Sequence, residues 1–162
     1  MIVVSDTSAL SALFLVERLE LLPALYDRIV TPPAVMREML RLEEQFGHDL
    51  STLKKAAWLS VIPVSDVQKV KKYRLVLDEG ESEALVLTTE LSADFLLIDE
   101  MRGRKVAQSE GIPHTGVLGV LLSAKAKGLL HAVRPVMDDL RLKTKFRISQ
   151  QLYDFVLVEA GE

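Results

Sequence analysis

Apolar residues fall along this chain in two rhythms. One is the short unbroken run. Ile2-Val3-Val4 and Phe95-Leu96-Leu97-Ile98 are apolar without alternation, and each run ends within two residues at an aspartate, Asp6 and Asp99. Runs of this kind suit strands buried on both faces of a parallel sheet. Ile29-Val30, Trp58 to Ile62 and Ile112 to Thr115 are shorter strand candidates. The other rhythm is helical. Ala9 to Leu22 carries apolar residues at i, i+3 and i+4, among them Leu10, Leu13, Phe14 and Leu21. Thr31-Pro32-Pro33 opens a second helix through Val35, Met36, Met39 and Leu40, with Thr31 as its cap. Leu50 to Ala57 reads as a short helix. Ser65-Asp66 caps a helix carrying Val67 and Val70. Asp78 caps one through Leu91, with acids in its first turn. Helices over 102–110, 116–127, 133–143 and 149–158 complete the chain.

Strands that alternate with helices predict an α/β fold with a parallel sheet covered on both faces. No linker divides the 162 residues, so the expectation is one domain over 1–162. The chain has no cysteine, which excludes disulfides, cysteine zinc sites and thiol catalysis. His48, His114 and His131 lie far apart and show no helical metal-ligand spacing. A Walker-type phosphate loop and a Gly-x-Gly-x-x-Gly turn are both absent. The net charge of −3 gives no bulk attraction for nucleic acid, so a nucleic-acid role needs local basic patches and metal ions. The N-terminus has no basic segment before its apolar run, and no run approaches membrane-spanning length. A cytoplasmic protein is expected.

The candidate chemistry lies at the ends of the unbroken runs. In open α/β sheets ligands bind outside the carboxyl ends of the strands. If the two runs are sheet neighbours, Asp6 and Asp99 reach one site, where Glu38 and Glu81 on adjoining helices can join them. Each acid also has a plain structural role open to it: Asp6 or Ser8 as a cap for the first helix, Asp99 as a cap for the helix after it, Glu38 as a solvated helix residue, and Glu81 or Glu83 as first-turn acids favoured by the helix dipole. Several carboxylates in one cleft repel one another, and a divalent cation with oxygen ligands resolves that repulsion. Such a metal lowers the pKa of bound water and stabilises charge on a phosphoryl oxygen. Acid-only chemistry therefore points to phosphodiester hydrolysis or another Mg²⁺-dependent phosphate reaction.

Val-Val-Ser-Asp-Thr-Ser-Ala-Leu (3–10) resembles the opening motif of PIN-domain proteins. Thr-Pro-Pro-Ala-Val-Met-Arg-Glu (31–38) resembles their second acidic position. Leu-Asp-Glu-Gly-Glu-Ser-Glu-Ala-Leu (77–85) with Ala-Asp-Phe-Leu-Leu-Ile-Asp-Glu (93–100) is similar to the family's helix-plus-strand unit. The resemblance runs to about Leu130, and residues 131–162 match no motif. It implies a three-layer α/β/α PIN-like fold with a central parallel sheet of four to five strands. It also implies a Mg²⁺- or Mn²⁺-dependent ribonuclease site, as in the toxins of toxin–antitoxin pairs. Asp6, Glu38, Glu81 and Asp99 are then the catalytic and metal-binding acids. Glu83 is the alternative third acid, because Glu-Ala-Leu (83–85) matches the family's acid-Ala-apolar sequence. Thr7 and Ser8 are supporting residues for Asp6 or a metal-bound water. Arg102, Arg104 and Lys105, directly after Asp99, are candidates to contact RNA phosphates, as are the later cations Arg141, Lys143, Lys145 and Arg147, with surface ion pairing the plainer role open to each of them. The implied partners are an RNA substrate, an antitoxin protein and a second copy of the chain, the last through apolar faces in 117–122 and 152–158. The competing reading is a non-catalytic PIN-like module that binds RNA or protein. A phosphatase or 5′-nuclease on the same sheet is the third.

Overall fold

Five strands, all parallel, form the centre of the computed structural model, which describes residues 1–162. The strands are β1 (Ile2–Ser5), β2 (Arg28–Thr31), β3 (Leu59–Val61), β4 (Phe95–Leu97) and β5 (His114–Thr115). Their order is β3-β2-β1-β4-β5, so the first strand is the middle one. Val4 sits opposite Val30 on one side and Leu96 on the other.

The unbroken apolar runs have the cause expected of them. Side chains alternate across the sheet, and both faces are dry. Val3, Ile29 and Leu97 point into one core, built with α1 (Thr7–Leu15), α2 (Leu21–Leu25), α3 (Pro33–Phe46) and α4 (Ser51–Lys54). Val4, Val30, Leu96 and Ile98 point into the other, built with α5 (Val67–Tyr73), α6 (Glu79–Glu90) and α7 (Met101–Ser109). The fold is therefore α/β in three layers. The last three helices, α8 (Val117–Ala126), α9 (Arg134–Lys143) and α10 (Gln150–Glu159), join the first core. They bury Val120, Met137, Leu140 and Val156 there, so the stretch without a legible motif is nevertheless packed.

Three local readings are corrected. The stretch 9–22 is not one helix. It breaks after Leu15, where Glu17 takes a left-handed φ of 56°, and resumes as α2, with Pro23 in a first turn whose amides need no helical partner. Thr31 does not cap α3. Pro32 is the capping residue, and the buried Thr31 hydroxyl donates to the Ser5 carbonyl at 3.0 Å, tying β2 to β1. Val117–Leu122 is no free surface for a second copy, because Val117, Val120 and Leu121 are fully buried. In α10 the exposed apolar residues are Leu152, Phe155 and Val158. No helix is long and apolar enough to cross a membrane.

Candidate functional site

The connections β1 to β2 to β3 run to one side of the middle strand, and β4 and β5 lie on the other. The strand order therefore reverses between β1 and β4, and in such sheets a crevice opens at that point outside the carboxyl ends. Asp6 and Asp99 stand there. Asp6 follows β1 directly, and its amide donates to the Leu97 carbonyl of β4 at 3.0 Å. Asp99 lies two residues past β4. Glu38 is reached from α3, which begins at the carboxyl edge after β2. Glu81 lies in the first turn of α6, which starts at the same edge before returning to β4.

Short side chains and amides hold the four acids in place. Asp6 is fully buried. Its Oδ1 accepts from the Ala9 amide at 2.9 Å and its Oδ2 from the Ser8 hydroxyl at 2.6 Å. The capping role and the site role of Asp6 are thus one placement. Ser8 also links the two aspartates, since its oxygen accepts from the Asp99 amide at 3.2 Å. The Thr7 hydroxyl donates to Glu38, whose other oxygen accepts from the Gly80 amide at 3.0 Å. Asp99 accepts from the Val117 amide at 3.1 Å, so it caps α8, whose own capping residue, Gly116, has no side chain to do so. Glu81 closes a capping box with Asp78, accepting from its amide at 3.2 Å. Glu83 is turned elsewhere. It accepts from the Ala34 amide at 3.0 Å, at the start of α3, and does not line the cleft.

Asp6, Glu38 and Glu81 line a cleft of about 780 Å³ with Arg74, Asp78 and Arg102. Asp99 lines the adjoining cleft, and Ser8, Glu100 and Met101 line both. Of the three cations after Asp99, Arg102 faces the acids. Arg104 donates to the Ile98 carbonyl at 3.1 Å and draws the Asp99 pKa down by its charge, while Lys105 is exposed and lines neither cleft. Arg74, on the opposite lip, ends the basic run 69–74, which reads from the sequence as a solvated helix face rather than a binding patch.

Electrostatics set these acids apart. None of the four forms an ion pair. Burial pushes Asp6 well above the usual carboxylate range, and the charges of Asp99 and Glu81 push it further. Burial raises Asp99 to about 6 and Glu81 to about 7, with Asp78, Glu100 and Glu38 adding to the latter. Glu38 is raised too, chiefly by burial. Buried carboxylates without a cation are costly when ionised. An all-oxygen donor set of this kind fits a hard divalent ion, Mg²⁺ or Mn²⁺. No three of the acids converge on one point at ligating distance. Mg²⁺ is commonly held by one or two carboxylates, with water completing its shell.

The folded chain keeps protons on Asp99 and Glu81 that the unfolded chain has already released. Their contribution to stability is complete below the ordinary carboxylate range and is lost as pH rises through about 6 and about 7. Metal-free protein is expected to melt at a lower temperature at about pH 8 than at about pH 5, with Mg²⁺ restoring stability mainly at the higher pH. Scanning calorimetry with chelator and with Mg²⁺ checks this. A Mg²⁺ effect that is equal at both pH values contradicts it.

Three glycines also belong to the site: Gly80, inside the 77–85 motif, Gly103 and Gly116, none of which the sequence reading gave a role beside the acids. A Cβ on Gly80 would run into Glu38 and would lie 2.8 Å from the Thr7 hydroxyl. One on Gly103 would strike Ile98 and lie 3.2 Å from Glu81. One on Gly116 would strike Asp99 and lie 2.9 Å from the Arg104 guanidinium. Each acid but Asp6 rests against a glycine on a neighbouring element.

A switch-point crevice ringed by acids on a three-layer parallel α/β/α fold matches a PIN-like architecture. The chain belongs to the PIN-domain family: the model of the family DUF3368, described as a PIN domain, matches residues 2–162. In fold it is similar to a PilT N-terminus domain protein from the hyperthermophilic archaeon Sulfolobus solfataricus P2. That structure is 21% identical with a TM-score of 0.50, and the match covers 82% of this chain and 97% of that one. A comparison with curated proteins finds no match. PIN domains are typically nucleases and usually use divalent metal ions, which places the chain in a nuclease-type hydrolase family.

Proposed function

We propose that this protein is a Mg²⁺- or Mn²⁺-dependent endoribonuclease that acts in the cytoplasm as the toxin of a toxin–antitoxin pair. The observation that carries the catalytic part is Asp6: a fully buried carboxylate without an ion pair, at the switch point, with three further acids of raised pKa around it. Asp6, Glu38, Glu81 and Asp99 would hold the metal, directly or through its water. When bound, the metal supplies an activated water and charge stabilisation on the phosphoryl oxygen. The chain's own contribution is placement. Thr7 and Ser8 fix Glu38 and Asp6 by hydrogen bonds, and Asp6 lies buried against the cleft. Arg74 and Arg102 on the lips supply positive charge for the RNA backbone.

The toxin part rests on the resemblance and on the rim. Leu75, Val76 and Met101 are 83%, 58% and 67% exposed beside the acids, an apolar surface suited to a protein that covers the cleft. A second copy of the chain would dock on the exposed residues of α10.

The assay is cleavage of single-stranded RNA with Mg²⁺, Mn²⁺ or chelator, with DNA and a phosphomonoester as competing substrates. Cleavage of RNA alone, at internal bonds, is the expected result. The second reading, a binding module without catalysis, is favoured by the capping bonds that occupy Asp6, Glu81 and Asp99. It predicts RNA binding with no products under any metal. The two candidate third acids separate in the same assay. Glu81→Gln is expected to lower the rate by about a hundredfold or more through loss of the charge, with the fold kept because glutamine still serves a capping box. Glu83→Ala is expected to keep the rate and lose about 1 kcal/mol of stability, as a lost helix cap does. The opposite pattern would move the third acid to Glu83.

A further inference from the structure

The cleft that Asp99 lines is the larger of the two, about 1010 Å³, and its composition differs from that of the acidic one. Its far wall is the end of α9 and the segment after it, which supply Lys143, Lys145 and Arg147. Phe46, His48 and Phe146 supply three rings. Ser8, Glu100 and Met101 line both clefts, so the two adjoin, and Asp99 stands in the groove whose far end carries the cations.

Two features of that far end lack a structural use. Phe46 is 63% exposed at the last position of α3 and belongs to neither core, so an aromatic ring is left against solvent. Lys145 and Arg147 form no ion pair, and Lys143 forms only an exposed one with Asp139 at 3.3 Å. The nearby Arg141 differs. It donates to the Ile148 carbonyl at 3.0 Å and lies 4.1 Å from the Tyr153 ring centre, so its charge is engaged within the fold. In a chain of net charge −3, three cations within five positions beside the exposed Phe46 ring make a local basic and aromatic patch. A ligand that presents alternating anionic groups and flat apolar faces matches it, and a single-stranded polynucleotide has that chemistry.

We propose that this end of the groove is a subsite for single-stranded RNA beside the bond to be cut. Phe46 stacks on a base, and Lys143, Lys145 and Arg147 contact the phosphates that follow. The proposal rests on the nuclease reading for its substrate and adds where the strand lies: from the acids, past Asp99 and Met101, toward the start of α10. It also gives a selectivity. Duplex RNA keeps its base faces stacked and offers nothing to Phe46.

The test is fluorescence anisotropy of a labelled oligouridylate about twelve nucleotides long, bound to the full chain carrying Asp6→Asn so that binding is read without cleavage. Phe46→Ala in that background is expected to weaken binding about five- to hundredfold. The combined Lys143→Ala, Lys145→Ala and Arg147→Ala variant is expected to flatten the slope of log affinity against log salt by about two, near 0.7 for each phosphate no longer neutralised. Phe46 and the three cations are exposed, and unchanged melting curves establish that the variants fold. Duplex RNA is expected to bind more weakly and to ignore Phe46→Ala. Affinity and salt slope unmoved by these substitutions would overturn the subsite, as would an equal loss on duplex. An RNA-binding chain that depends on Phe46 but never cuts keeps the subsite and removes the nuclease reading. Metal-dependent cleavage, with RNA binding that these substitutions do not move, does the reverse.

Discussion

Asp6→Asn is expected to abolish metal-dependent RNA cleavage, by a factor of about a thousand or more, and to leave a protein at least as stable as the parent. The two halves have one cause. Asp6 is wholly buried, its ionised form is disfavoured by that burial, and the nearby charges of Asp99 and Glu81 add to the penalty. Asparagine keeps the carbonyl oxygen that accepts from the Ala9 amide, so the cap on α1 survives while the charge is removed. A carboxylate kept for stability behaves in the opposite way, since removing a partner from a satisfied buried network destabilises. Cleavage with Mg²⁺ and thermal melting, measured side by side, check both halves. Retained cleavage removes Asp6 from the chemistry. Lost cleavage together with a large fall in melting temperature would mean that the residue was structural.

Gly116→Ala carries the second large effect, and it works through Asp99. The φ of −124° at Gly116 is open to any residue, so alanine meets no backbone strain. The obstacle is the Asp99 carboxylate, whose Cγ would lie 3.0 Å from the new methyl while one of its oxygens lay closer still. The Arg104 guanidinium, at 2.9 Å from the new methyl, crowds it as well. Asp99 must therefore leave the Val117 amide, and the acid at the switch point moves with it. A fall in cleavage rate or metal affinity of about ten- to hundredfold is expected, with a stability loss of about 1–3 kcal/mol from the crowding. Gly111→Ala is the control. Gly111 has a φ of 67° and nothing within 4 Å, so alanine there loses about 1 kcal/mol through the backbone and leaves the rate alone. Similar rates for the two variants would show that Asp99 does not need its present position.

The readable parts of this protein were those where one local rule acts alone. Ile2-Val3-Val4 and Leu96-Leu97-Ile98 can be read as strands because a strand dry on both faces has no room for polar alternation. Asp66 and Asp78 can be read as caps because a helix start exposes amides wherever it occurs. The break at Glu17 could not be read. Its neighbours keep helical spacing, and only the packing of α2 into the core asks the chain to turn there. Glu81 and Glu83 show the same limit at the site. Both are acids near the start of α6, two positions apart, and what divides them is that one faces the cleft while the other meets the start of α3.

By itself the sequence determined the layered α/β class, two strands dry on both faces, and two aspartates delivered to the carboxyl edge. Those follow from residues adjacent in the chain, where periodicity and capping act over a few bonds. The tertiary structure decided the rest: that β1 and β4 are neighbours, that Gly80, Gly103 and Gly116 rest against three of the acids, and that Phe46 shares a groove with Lys143, Lys145 and Arg147. Contacts between residues this far apart in the chain depend on strand order and helix packing. No short stretch of sequence carries that information.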